Sequence, residues 1–126
     1  MASTESSTTA GTASPAGADC LFCKIIGGEI PADLVAESAT TVAFKDINPK
    51  APVHVLVVPR AHHADVSALA GSDPMVLADV VALADQVASD LADGQYRLIW
   101  NVGPKAGQTI FHAHAHVLAG TQLGGF

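Results

Sequence analysis

Histidines stand at every second position in Phe111-His112-Ala113-His114-Ala115-His116-Val117-Leu118, and the remaining three are His54, His62 and His63. On an extended chain, residues two apart share a face at intervals of about 6.6 Å, so the row predicts three imidazoles on one side of a strand. Three readings compete. The first is a solvated edge strand with incidental histidines. The second is a metal centre, since His-x-His pairs ligate zinc and iron, although no carboxylate follows within several residues to complete a facial triad. The third is nucleophilic catalysis by the central histidine, because neutral imidazole attacks phosphorus well and, with a pKa of about 6.5, handles protons at neutral pH. Just before the row, Asn101-Val102-Gly103-Pro104-Lys105-Ala106-Gly107-Gln108-Thr109 forms a Gly/Pro/Lys loop. Its glycines let backbone amides approach an anion, Thr109 adds a hydroxyl and Gln108 a carboxamide. The Walker spacing is absent and a strand rather than a helix follows. Donors beside a candidate nucleophile are nevertheless the layout that phosphoryl chemistry needs.

A second motif is Cys20-x-x-Cys23. A disulfide fits a cytoplasmic chain poorly, and a thioredoxin-like motif would follow a strand inside a βαβ unit. Two readings stay open: a pair of small buried residues, or half of a structural zinc site completed by imidazoles elsewhere.

The elements that must position these groups follow from periodicity and punctuation. Residues 20–26 read as a short amphipathic helical turn ended by Gly27-Gly28, and residues 34–37 and 41–45 as two short strands around a polar turn. Asp46-Ile47-Asn48-Pro49-Lys50-Ala51-Pro52 cannot be a central strand, since two prolines lack the amide a ladder requires. Residues 53–58 are a β-branched run carrying His54 and ended by Pro59, which predicts a buried strand. Asp73-Pro74 supplies an N-cap and a first helical residue, and apolar residues recur at spacings of three and four from Val76 to Leu91 before Gly94 ends the helix. Residues 96–102 and 110–118 read as two further strands. There is no internal repeat. The order predicts an α+β domain with a mostly antiparallel sheet of about five strands, one long helix and a short N-terminal helix.

Composition bounds the function classes. The chain has 126 residues, 49% hydrophobic, with 12 acidic against 6 basic side chains and a formal charge of −6. That balance argues against a nucleic-acid partner, whose phosphates call for a broad basic surface, so any anion must be held locally. No apolar run approaches the roughly 18 residues needed to cross a bilayer, and no membrane partner is expected. A soluble, cytoplasmic protein is predicted. Residues 1–18 are Ala, Ser, Thr, Gly or Pro at 16 positions, a disordered low-complexity tail by composition, leaving residues 19–126 as one domain.

The row His-Ala-His-Ala-His-Val-Leu resembles the signature of the histidine-triad (HIT) family, three histidines separated by apolar residues. Asp46 through His54, Val57-Val58-Pro59-Arg60 and Asn101 through Thr109 fit the same family in order, so the resemblance covers about residues 19 to 120. It implies a HIT-like fold that dimerises by joining the long helices and edge strands into an extended sheet. It also implies a purine nucleotide substrate and chemistry through a covalent nucleotidyl-histidine. Carried over by position, His114 would be the nucleophile, His116 would contact phosphate, His54 would orient His114, and His112 opens the triad. Asn101, Gly107, Gln108 and Thr109 would surround the phosphate, and Asp46 would accept from the ribose hydroxyls. Leu21, Phe22, Ile25, Phe44 and Ile47 would wall the base, although such residues serve equally as core. Some bacterial relatives pair the two cysteines with a histidine after the Val-x-Pro segment and with the first triad histidine. Here those are His62 and His112, which with Cys20 and Cys23 would hold structural zinc, and His63 would be a solvated loop residue.

Two departures stand out. Ala113 and Ala115 are small for the positions between triad histidines, and the chain ends Leu123-Gly124-Gly125-Phe126, without the Trp-Pro-Pro-Gly ending of many Hint-type relatives. The expected activity is that of a purine nucleoside 5′-phosphoramidase, which hydrolyses an AMP-amine to AMP and the amine. The alternatives are a dinucleoside polyphosphate hydrolase and, in another class, a nucleotide-binding interaction protein with incidental turnover.

Overall fold

A computed structural model describes residues 19–125, so the expected disordered tail lies outside the described residues. Five strands form one antiparallel sheet: β1 Leu34–Glu37, β2 Thr41–Lys45, β3 Val53–Pro59, β4 Tyr96–Trp100 and β5 Ala115–Ala119, in the spatial order β1-β2-β3-β5-β4. The helices are α1 Leu21–Ile26, α2 Val66–Ser72 and α3 Pro74–Leu91, with a 3₁₀ turn at Pro104–Ala106. The predicted α+β class and antiparallel sheet are both present.

The period-two alternation of the strands sorts the sheet into two faces. On one face Ala43, Val55, Val57, Ala113, Ala115 and Val117 pack with Val80, Leu83, Ala84, Val87 and Ala88 of α3. The small residues between the triad histidines are therefore matched by a helix that lies directly on them, and the packing they lack is supplied by α3. On the other face Val42, Phe44, Leu56 and Val58 pack with Phe22 of α1. His54 and His116 project from this second face, since their neighbours Val55 and Val117 belong to the first. Pairing sets Leu56 opposite His116 and His54 opposite Leu118, so the two histidines lie diagonally across β3 and β5. Such diagonal neighbours are within reach of long or aromatic side chains.

Asp73 caps α3 through its side chain, which accepts from the Val76 amide at 3.3 Å, and Pro74 follows at the first position. The same residue closes α2, its own amide donating to Leu69 at 2.8 Å. Helix α2 was not expected. It spans seven residues with Gly71 inside and anchors through fully buried Leu69, too little apolar periodicity to register as a helix.

Two predicted strands are shorter than expected. The strand at 96–102 ends at Trp100, and that at 110–118 begins only at Ala115. Ahead of it, the Ala113 amide donates to the His63 carbonyl at 2.7 Å, and the His112 ring reaches the Pro59 carbonyl. These bonds draw residues 112–114 toward the loop after β3 and out of the ladder. His112, His114 and His116 thus do not stand in a row on one strand.

Candidate active site

Strand β3, the entry to β5 and helix α1 converge on one side of the sheet, and His54, His112, His114 and His116 each have a ring orientation fixed by a hydrogen bond. His114 Nδ1 lies 2.8 Å from the His112 carbonyl. A carbonyl only accepts, so Nδ1 carries the proton and Nε2 holds a lone pair. His54 Nδ1 lies 3.0 Å from the Lys50 backbone nitrogen, which donates, so His54 carries its proton on Nε2. That atom is 3.0 Å from His116 Nδ1 and 3.4 Å from Asp46 Oδ2. His116 accordingly accepts at Nδ1 and is protonated at Nε2. The His114 and His116 rings meet at 5.1 Å between centroids, and Phe22 stands edge-on to His114 at 5.1 Å and to His112 at 6.0 Å.

The environment keeps these rings neutral. Burial holds His116 down to about 4, and the neighbouring His114 and His54 rings add to it. Burial likewise lowers His114, partly offset by its bond to the His112 carbonyl. His54 is lowered by burial, with Asp46 opposing and Lys50 reinforcing. A neutral imidazole with an available Nε2 lone pair is the protonation state a nucleophile requires.

His112 belongs to a different cluster. Its Nε2 donates to the Pro59 carbonyl at 2.8 Å, which turns the Nδ1 lone pair toward Cys20 Sγ at 3.4 Å and Cys23 Sγ at 3.5 Å. His62 Nδ1 is 3.4 Å from Cys23 Sγ. The four donor atoms lie within 4.8 Å of one another. In tetrahedral zinc with two thiolates and two imidazoles the sulfur-to-nitrogen edge is about 3.6 Å, so donor types and spacing both suit that ion. The carbonyl behind His112 is the kind of outer partner that fixes a ligating imidazole.

The loop after β4 is braced by its own polar side chains. Gln108 is 2% exposed; its Oε1 accepts from the Gly103 amide at 2.9 Å, and its Nε2 donates to the Ala64 carbonyl at 2.7 Å and the Ile110 carbonyl at 3.1 Å. Asn101 Nδ2 donates to the Ala106 carbonyl at 2.9 Å. The Gly107 amide donates to Pro104 at 3.0 Å. These three groups shape the loop; exposed Thr109 is the expected phosphate donor that stands at its surface.

With this geometry in place, comparison with known proteins is decisive. Residues 27–123 match the HIT domain. The chain belongs to the HIT family. It is 47% identical over 103 residues to an uncharacterised HIT-like protein of Synechocystis, covering 81% of this chain and 90% of that one. It is 35% identical over 108 residues to the purine nucleoside phosphoramidase of Escherichia coli, covering 84% and 91%. Among solved structures, a HIT family hydrolase from Clostridium thermocellum superposes with a TM-score of 0.82 at 46% identity, covering 86% of this chain and 96% of that one.

Within the HIT fold, the residues expected to wall the base are divided. Phe22 and Phe44 are buried and stack edge-on at 5.4 Å in the core under the site, with Ile25 packed beside them. Leu21 is partly exposed and Ile47 is 92% exposed, so Ile47 touches little of the folded chain. Asp46 Oδ1 accepts from the Asn48 amide at 2.8 Å, and its other oxygen faces His54. His63, expected as a solvated residue, is half-buried, its pKa lowered by burial. The groups that residue types did not announce are backbone ones: the Lys50 amide and the carbonyls of Pro59, Ala64 and His112. No side-chain pattern marks them. The Pro49 and Pro52 punctuation around Lys50 was the nearest signal, since it leaves few amides in that loop.

Proposed function

We propose that this HIT protein hydrolyses purine nucleoside 5′-phosphoramidates, releasing the nucleoside monophosphate and an amine. The observation that carries this reading is His114, whose Nδ1 proton is held on the His112 carbonyl at 2.8 Å so that Nε2 is left unprotonated. The 35% identity to a protein named purine nucleoside phosphoramidase supports the choice of leaving group. In this mechanism His114 Nε2 attacks the α-phosphorus, the phosphorus-to-nitrogen bond breaks, and the amine departs with a proton taken from solvent. The nucleotidyl-imidazolium that forms keeps its Nδ1 proton on the His112 carbonyl, which stabilises the positive ring. His116 Nε2–H and the Thr109 hydroxyl would donate to phosphoryl oxygens, and Asp46 would receive the ribose hydroxyls. Water then attacks phosphorus, giving the monophosphate and restoring neutral His114.

Cys20, Cys23, His62 and His112 would hold zinc, which when bound ties helix α1 to the entry of β5 and fixes the His112 carbonyl under the nucleophile. In the same reading the edge of β4 and the exposed Val81 and Leu91 of α3 join a second copy.

The test compares turnover of an AMP-amine conjugate with that of a diadenosine polyphosphate, and mass spectrometry of quenched protein. Preferred cleavage of the conjugate with an adenylylated His114 supports the proposal, and His114→Ala should lose at least about 10³-fold in rate, as removal of a nucleophile does. Preferred cleavage of the polyphosphate would make it a dinucleoside polyphosphate hydrolase. Tight AMP binding without turnover of either would make it an interaction protein.

A further inference from the structure

Asp46 Oδ2, His54 Nε2 and His116 Nδ1 also lie within 4.8 Å of one another, giving a second cluster of metal-ligand type beside the nucleophile. Two imidazoles and a carboxylate are a donor set that divalent transition metals take. The separations of 3.0 Å and 3.4 Å bracket the edge of about 3.3 Å expected for tetrahedral nitrogen and oxygen ligands. By residue type and spacing both clusters offer zinc-ligand atoms, four in the first and three in the second.

They differ in what stands behind the imidazole. At His112 the far nitrogen donates to the Pro59 carbonyl, and the lone pair faces the cysteines. At His54 the far nitrogen accepts from the Lys50 amide at 3.0 Å, and the proton therefore occupies Nε2, the atom that would have to bind a metal. Ligation through Nε2 requires moving that proton to Nδ1, where it would confront the Lys50 N–H head-on and lose that part-buried hydrogen bond. Asp46 Oδ2, facing Nε2, favours the same protonation.

We infer that the backbone amide of Lys50 is a positioning group that locks the His54 tautomer, and that this lock keeps divalent metals out of the catalytic cluster while the Cys/His cluster accepts them. The same lock sets the polarity of the site. Donation runs from Lys50 N–H to His54 Nδ1, then from His54 Nε2–H to His116 Nδ1, and leaves His116 Nε2–H as the terminal donor. Reversed, the chain would present a lone pair at His116 Nε2 and repel a phosphate oxygen. The inference rests on hydrogen-bond geometry and is independent of which leaving group the enzyme prefers.

The test uses the full-length protein, ¹⁵N-labelled, with zinc chloride as the probe. Long-range proton–nitrogen spectra of the histidine rings at neutral pH should show His54 and His116 protonated at Nε2 and bare at Nδ1. On titration, the first equivalent of zinc should move only His62 and His112, and excess zinc should leave His54 and His116 in place. Lys50→Ala, which keeps the amide, should behave the same. Lys50→Pro, which removes it, should mix the His54 tautomers and raise the affinity of the second cluster for zinc by about 10–100-fold, the size of outer-partner effects on ligating imidazoles. A wild-type His54 protonated at Nδ1, or His54 and His116 signals that shift with a second equivalent, would overturn the inference. Should Lys50→Pro fail to fold, the wild-type spectra and titration decide alone.

Discussion

His112, His114 and His116 are spaced identically in sequence yet sit in three different settings, because each ring answers to a different hydrogen-bond partner. His112 faces the cysteines from behind the Pro59 carbonyl, His114 is turned by the carbonyl of His112, and His116 is reached by His54. The residue scale is also where Gln108 changes meaning. Expected as a phosphate donor, it instead pins the loop after β4 to the segment after β3 with three hydrogen bonds. Gln108→Ala leaves a Gly103 amide and two carbonyls without these partners, and a loss of about 2–4 kcal/mol follows, measurable as a lower urea midpoint at unchanged m-value. Residue types and spacing singled out the triad and the two cysteines as candidates, and the family resemblance added His54. The roles of Gln108 and Asn101 were not legible, since a carboxamide that binds a ligand and one that braces a loop look identical until the backbone path is known.

At the scale of elements, strands β1 and β2 were readable to the residue and helix α3 at its start, because alternation, a capping Asp-Pro and a stripe of spacing three and four are local signals; its end falls at Leu91, ahead of the expected stop at Gly94. The start of β5 was not, because the bonds that draw residues 112–114 out of the ladder come from the loop after β3, 50 residues away. Helix α1 illustrates a second limit. Six residues cannot sustain a helix on their own, so its position depends on Phe22 in the core and on the cysteines at its N-terminus. Bound zinc should therefore raise the melting temperature, and chelation should lower it by more than about 5 °C, the shift expected from one or two kcal/mol in a domain of this size. Protein with Cys20→Ala and Cys23→Ala should melt low and ignore the chelator; unchanged melting on chelation together with absence of zinc by elemental analysis would remove the site. Gly120 closes β5 at φ +93°, and a Cβ there would stand 3.2 Å from Pro52 Cβ and 3.3 Å from Val53 Cγ2. Gly120→Ala combines that crowding with a left-handed backbone, and calorimetry should record a loss of about 1–3 kcal/mol.

For the whole molecule, the two faces of the sheet differ: α3 packs on one, and the opposite face carries a smaller apolar cluster together with His54 and His116. The buried neutral histidines on that second face make stability depend on pH. The unfolded chain takes up a proton on His116 near its ordinary value of about 6.5, whereas the folded chain does so only near about 4. Protons therefore favour the unfolded state within that window, so stability is full above it and falls as pH drops from the upper bound to the lower, with buried His54 contributing in the same sense. Urea midpoints of metal-free protein across this range should decline toward acid; a flat profile would show that the rings are not buried as neutral groups. The pairing of β3 with β5 carries a further consequence. Leu56 and His116 share one face while Val57 and Ala115 share the other, so a slip of a single position along either strand would drive imidazoles into the apolar interior and valines out toward solvent. A compact but misaligned chain is thereby barred from passing as a merely inactive one, and turnover in a refolding experiment doubles as a ruler for strand alignment.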